Sequence, residues 1–316
     1  RRARLGVEEL RPWDLAVNPY RAAALRPYSD PADLPGVARR IFGRLEPTLG
    51  AEFQVMIDEG LLDLESRRGK APGGYCDTLH ARGRPFIFMN ASGVMDDVNT
   101  LLHEAGHAFH AFASHVQPLI WQRHPGSESA ELASMSMELL AAPHLARPTG
   151  YLAEGDALLA RLEHLEEILV SLAHIASVDA FQHWIYASGA GGEARARDEA
   201  WLRVRSRFDP EVSWAGLDAE RVARWYRQLH IFLYPFYYIE YGIAQLGALQ
   251  VWRNSGRDAA GAVAAYRRFL ALGATRPLPA LYAEAGARLV FDADRMAELV
   301  AVVEEEIAAL REKAGK

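Results

Sequence analysis

The chain has 316 residues, 50% of them hydrophobic and 24% charged, a globular composition that can bury a large core in one large domain or two ordinary ones. Its formal net charge of −6 argues against nucleic acid, which would favour a basic patch, and no apolar run is read as long enough to cross a bilayer. The single cysteine, Cys76, excludes an intrachain disulfide and leads us to expect a reducing, cytoplasmic setting.

The chain opens Arg1-Arg2-Ala3-Arg4 without Met or an apolar signal region, and is expected to be a fragment, a processed product or a chain lacking its true start. Residues 1–35, rich in Pro and Arg, read as an extended lead-in. Residues 36–64 carry apolar positions at helical spacing, divided into two helices at Pro47 and Gly50. Residues 67–75 read as a loop. Tyr75 to Leu79 and Pro85 to Met89, flanking Ala81-Arg82-Gly83, predict a short hairpin. From Asp96 onward the pattern is almost all helix, with Asp96 or Asp97 as the first cap and Pro118 as a limit. Further helices are predicted over 128–142, 154–187, 196–207, 219–229, 236–253, 257–272, 278–287 and 292–313. In the last, Glu304, Glu305 and Glu306 are expected on a solvated face.

The stretch Leu101-Leu102-His103-Glu104-Ala105-Gly106-His107 holds His-Glu-x-x-His within a helical pattern. Side chains four apart share one helix face, about 6 Å along the axis, so two imidazoles can reach one zinc ion. Glu104, beside that face, is placed to take a proton from the attacking water, whose pKa a zinc ion lowers to roughly 7. Two histidines satisfying ordinary hydrogen bonds would be the bland reading, but on an otherwise apolar helix such a trio is costly to bury.

A third protein ligand is needed. A histidine six residues after the second, preceded by glycine, is absent, because those positions hold Ala113 and His110. A glutamate from a following helix remains, with Glu128, Glu131 and Glu138 available. Glu131, in the pattern Glu131-Leu132-Ala133-Ser134, is chosen. Glu138, two turns further, is expected to bond a ligand histidine instead. Glu128 is expected near a helix start, in solvent. His110 lies about 10 Å along the axis from His103 and is expected to line the cleft or support the ligands from behind. In the run His230 to Tyr241, Tyr234, Tyr238 and Tyr241 share a face if helical, with Pro235 in the first turn. Their phenols and the His230 imidazole can donate to an oxyanion, although an aromatic core stripe has the same spacing.

With these residues in hand, the chain resembles the thimet oligopeptidase and oligoendopeptidase F family of zinc peptidases, especially its bacterial oligoendopeptidase branch. The segments Arg68 to Tyr75, Asp97 to His107, Glu131 to Ser134, Phe181 to Tyr186 and Pro235 to Tyr241 carry the resemblance. It implies a mainly α, zincin-like helical metallopeptidase fold with a small β-hairpin or sheet beside the zinc helix, and 1–316 as a single catalytic domain. It implies one zinc ion on His103, His107 and Glu131, with Glu104 as general base. It also implies that His230, Tyr238 and Tyr241 polarise the carbonyl and that Tyr234 contacts substrate. The small sheet, entered at Gly74 and Tyr75, would bind a short peptide as an added strand. His230 stands one residue closer to the first tyrosine than in the thimet branch. Family chains are longer, so a missing N-terminal helical half is an expected partner; a membrane is not.

The expected activity is endopeptidase cleavage of short peptides. A zinc exopeptidase would need a charged group for a terminal carboxylate, for which Arg227 is an unsupported candidate. A peptide-binding remnant would have lost Glu104 or a ligand, and neither is lost.

Overall fold

The computed structural model describes residues 1–21, 23–208 and 211–316. In chain order its elements are α1 (Arg2–Leu5), α2 (Asp33–Leu45), α3 (Pro47–Asp58), β1 (Leu62–Glu65), β2 (Tyr75–Leu79), β3 (Arg84–Ala91), α4 (Met95–Ser114), α5 (Ser127–Ala141) and α6 (Glu154–Ala187). There follow α7 (Ala194–Arg205), α8 (Asp218–Ala223), α9 (His230–Leu233), α10 (Tyr238–Ser255), α11 (Ala259–Leu272), α12 (Leu278–Glu284) and α13 (Ala293–Lys313). Residues Arg1–Ala24 and Glu166–Gly242 form one compact unit; Leu25–Leu165 and Ile243–Lys316 form another. Both divisions after residue 160 fall inside helices, α6 and α10.

In the larger unit, Leu34, Ala38, Ile41 and Phe42 of α2 are fully buried, as are Leu49, Phe53 and Met56 of α3. Gly43 and Gly50 let the two helices meet closely: a Cβ on Gly50 would lie 2.7 Å from the Gly43 Cα. The Glu46 side chain caps α3 at the Leu49 N–H, 3.1 Å away. Gly60, at φ 67°, ends this helical stretch. Residues 62–64, expected to continue the helix, instead form β1, because Leu61 and Leu64 are buried on either side of a half-exposed Leu62 and Asp63.

The sheet order is β1-β3-β2, with β1 parallel and β2 antiparallel to β3. The predicted hairpin is therefore present with a third strand added, and β2 is an edge. Along β3 the inward positions alternate, with Ile87, Met89 and Ala91 buried.

Helix α4 packs against β2, β3, α3, α5 and α11. It starts at Met95, with Val94 rather than an aspartate at the cap position. Asp97, in its first turn, reaches back: its carboxylate accepts the N–H groups of Ser92, Gly93 and Val94 at 2.7–2.9 Å and the Tyr28 hydroxyl. One buried carboxylate thus satisfies three backbone donors and fixes where the helix begins. Helix α5 is held by the Tyr266 hydroxyl of α11 on the Ala133 carbonyl (2.8 Å) and the Tyr282 hydroxyl of α12 on the Glu128 carbonyl (3.1 Å). On α13, Glu304 and Glu305 are exposed as expected, while Glu306 pairs with Arg161 of α6 at 2.9 Å.

The smaller unit is centred on Val178, Phe181, Ala200, Trp201, Trp225 and Ile231. Phe181 meets Trp201 and Trp225 edge-on at 5.3 and 5.4 Å. The helix expected over 219–229 is α8 followed by a 3₁₀ turn at Arg224–Arg227. The helix expected from 236 begins at Tyr238. Phe236 takes a left-handed φ of 64°, with its N–H donated to Gln182 at 2.9 Å, which leaves Tyr234 and Pro235 outside α10.

Helix α6, against the expectation, is long and apolar enough by length and composition to cross a bilayer. Its Leu162, Leu165, Ile168, Ile175, Val178 and Phe181 are buried within the protein, which gives its apolar residues a different use.

Candidate active site

Helix α4 projects His103 and His107 from one face, their rings 5.0 Å apart and nearly perpendicular. Glu131 reaches them from α5. Its Oε2 lies 3.2 Å from His103 Nε2 and 3.6 Å from His107 Nε2. Donors around a tetrahedral ion at about 2.0–2.1 Å stand roughly 3.3 Å from one another, so this spacing fits one small divalent cation. These three side chains are the group among the described residues that can hold a metal.

The hydrogen bonds behind the donors strengthen the fit. His103 Nδ1 meets Glu138 Oε1 at 2.7 Å, and a carboxylate can only accept, so that nitrogen carries the proton. The Nε2 lone pair then faces the Glu131 carboxylate, two acceptors that need a cation or a second proton between them. Burial opposes charge on His103, yet the bonds to Glu131 and Glu138 outweigh it and raise its pKa well above 6.5. For His107 burial wins, lowering its pKa to about 4, despite a hydrogen bond to the Ala130 carbonyl. Burial also opposes charge on Glu131, but His103, His107 and the Ser134 hydroxyl, 2.9 Å from Oε2, hold it down at about 2. That hydroxyl is the physical content of the Glu-x-x-Ser pattern.

Glu104 is 7% exposed and lies beside the trio. Burial raises its pKa to about 7; His103 and the Cys76 backbone N–H of β2 pull the other way. A carboxyl of this kind can exchange a proton near neutral pH. The strand entrance closes on it: a Cβ at Gly74 would stand 3.6 Å from Glu104 Oε1 and 3.1 Å from the Thr100 methyl. Tyr75 stacks on Phe88 at 4.9 Å and is half exposed.

Glu138 bonds a candidate ligand histidine in the way expected. Its other oxygen meets His164 Nε2 of α6 at 3.2 Å, a residue that no spacing in the sequence brings to attention. His110, expected to line the cleft or support the ligands, is instead buried in the packing of α4 against α11, its ring 5.4 Å from Phe269. Burial lowers its pKa to about 3. Glu128 sits half-buried in the first turn of α5.

The smaller unit assembles the other predicted residues. The His230 ring lies 5.0 Å from Tyr238, 5.8 Å from Tyr241 and 6.4 Å from Tyr234, and Tyr238 lies 5.4 Å from Tyr241. His230 Nε2 is 3.5 Å from the Tyr241 hydroxyl. Burial raises the pKa of Tyr238, against a hydrogen bond with Gln228, so the phenol keeps its proton. Tyr234 is exposed.

Residues 1–300 match the model of Peptidase family M3. The chain is 26% identical over 196 residues to the chromosomal oligoendopeptidase F of Lactococcus lactis subsp. cremoris, covering 58% of this chain and 31% of that protein. It is 26% identical over 251 residues to oligopeptidase PepF of Bacillus subtilis (strain 168), covering 72% and 34%. Among solved structures, PZ peptidase A with inhibitor 2 superposes with a TM-score of 0.89 at 32% identity, over 98% of this chain and 54% of that one. A putative oligoendopeptidase F from Bacillus anthracis str. Ames superposes with a TM-score of 0.83 at 28% identity, over 98% and 52%. The chain thus spans about a third of the length of these curated relatives and about half of these solved chains.

Proposed function

This chain belongs to peptidase family M3, and on that footing we propose that it is the catalytic part of a zinc endopeptidase that hydrolyses short peptides. The observation that carries this reading is the facing of His103 Nε2 and His107 Nε2 onto Glu131 Oε2 at 3.2 and 3.6 Å, with His103 Nδ1 already committed to Glu138.

Those three side chains would hold the ion, with Glu138 fixing the ring of His103. When bound, zinc supplies positive charge that acidifies water and polarises a peptide carbonyl. Glu104 takes the proton of the attacking water on its carboxylate and returns it to the departing amine, a cycle suited to a group with a pKa of about 7. The backbone of β2, at a sheet edge, offers hydrogen bonds to an extended peptide whatever its side chains. His230, Tyr238 and Tyr241 serve as donors to the carbonyl oxygen as it gains charge, a role that rests on their chemistry and on family membership.

Metal analysis of the purified chain, paired with digestion of an end-blocked peptide, tests the proposal. Stoichiometric zinc and internal cleavage are expected. Glu104→Gln should keep the metal and lose at least about 1000-fold in kcat. Unchanged turnover in that variant removes Glu104 as the base, and metal retained by Glu131→Ala removes Glu131 as a ligand.

A further inference from the structure

Behind His230 the smaller unit holds a line of polar side chains that the chemistry above does not use. Arg205 is 7% exposed and lies over the Trp201 ring at 5.7 Å. Its Nη1 donates to Ser177 Oγ at 2.7 Å and points to His174 Nδ1 at 3.4 Å. The Ser177 hydroxyl proton is committed to the His174 carbonyl, 2.7 Å away, so its oxygen is the acceptor for Arg205. His174 Nε2 meets Gln228 Oε1 at 3.2 Å, and Gln228 Nε2 meets His230 Nδ1 at 2.8 Å. Gln228 also hydrogen-bonds Tyr238.

A guanidinium has donors and no acceptor, and it cannot be deprotonated in a protein. That settles every bond that follows. Facing Arg205, His174 Nδ1 must present its lone pair, so the His174 proton sits on Nε2. That proton requires an acceptor, which turns the Gln228 carbonyl toward His174 and its NH₂ toward His230. His230 Nδ1 therefore accepts, and the His230 proton sits on Nε2, on the side of the Tyr241 hydroxyl. Burial keeps His230 neutral at neutral pH, so the choice between its two tautomers is a real one.

We infer that Arg205, His174 and Gln228 form a one-way hydrogen-bond relay that fixes His230 in its Nε2–H tautomer and so makes it a donor. The three are positioning residues: they act through the ring of His230. The use of that donor rests on the role proposed for His230 above, whereas the tautomer does not. The opposite tautomer would put a lone pair where charge develops on the carbonyl oxygen and would repel it.

Gln228→Glu tests the relay with little change of shape, since it replaces the donor facing His230 Nδ1 by an acceptor. The full chain, with ring-labelled ¹⁵N histidine and His230 assigned by comparison with His230→Gln, is examined by NMR. The wild-type His230 resonances are expected to show Nε2 protonated and Nδ1 bare. In Gln228→Glu they are expected to show Nδ1 protonated, with kcat on an end-blocked peptide lower by about 100-fold and KM little changed. A wild-type His230 with its proton on Nδ1 overturns the relay whether or not the variant folds. A folded variant whose His230 tautomer stays unmoved overturns it as well. A tautomer that moves while kcat holds keeps the relay and removes His230 from the proposed chemistry.

Discussion

A methyl group at Gly106 would stand 2.6 Å from the Cα of Ser134 and 2.8 Å from the carbonyl oxygen of Ala133, both backbone atoms of α5. The glycine between the two histidines therefore sets how closely Glu131 can approach them. Gly106→Ala should destabilise the fold by about 1–3 kcal/mol and weaken metal binding more than tenfold, read by thermal melts and metal competition. A variant with wild-type metal affinity would show that the two helices can separate without moving the donors. At this scale the sequence is readable where chemistry is local. His103, Glu104 and His107 announce themselves by spacing along one helix, and Glu131 by the serine that bonds it. His164 does not, since it meets Glu138 through a fold that brings distant residues together, and neither does Gln228, whose bond to His174 spans 54 residues of sequence.

The segment before β2 is held by a single cation. Lys70 Nζ, its side chain 1% exposed, donates to the carbonyls of Asp63, Glu65 and Met89 at or below 2.9 Å, pairs with the Asp63 carboxylate at 3.1 Å and lies over the Phe88 ring at 4.4 Å. The Asn90 amide adds bonds to the Ala71 and Gly73 carbonyls, both at 2.9 Å. Together they tie the loop at Gly73 and Gly74 to β1 and β3, and so hold the strand entrance against Glu104. Lys70→Met keeps the stem and leaves the part-buried carbonyls of Asp63 and Met89 and the exposed carbonyl of Glu65 short of a donor, at a cost of about 1–3 kcal/mol. Its peptidase activity should fall mainly through KM; an unchanged KM would mean that the loop keeps its place without the cation. Element boundaries were legible where apolar spacing was long, as in α4, α11 and α13. They were missed at β1, whose four residues fit either period, and at Phe236, where a left-handed turn is made by a residue type that gives no sign of it.

For the whole chain, the candidate ligand set joins a helix at residue 103 to one at residue 131, and an ion bound there to the native state alone would stabilise it by about 4 kcal/mol at a thousandfold excess over its Kd. Removal of metal with a chelator should lower the melting temperature by roughly 5 °C or more, with recovery on adding zinc. An unchanged melt would separate the metal from the fold. The mainly helical class with a small sheet was evident from periodicity, but the division into two units was not. Two of its three boundaries, at residues 165–166 and 242–243, lie within continuous helices, where no linker marks them.

The open edge of β2 has a consequence for encounters between molecules. An unpaired strand edge invites a second copy of itself, and concentrated protein would be exposed to that self-pairing. Asp77 occupies the middle of the strand and is exposed. Two such edges meeting antiparallel about their centres would set Asp77 against Asp77, like charges directly opposed. Such opposition would disfavour pairing of the strand with its own kind, whereas an extended peptide without a facing carboxylate would meet no such charge. Asp77→Thr should turn a concentration-independent mass into one that grows with concentration by light scattering, reversed by excess short peptide; a mass that stays constant would show that something other than this charge keeps the copies apart.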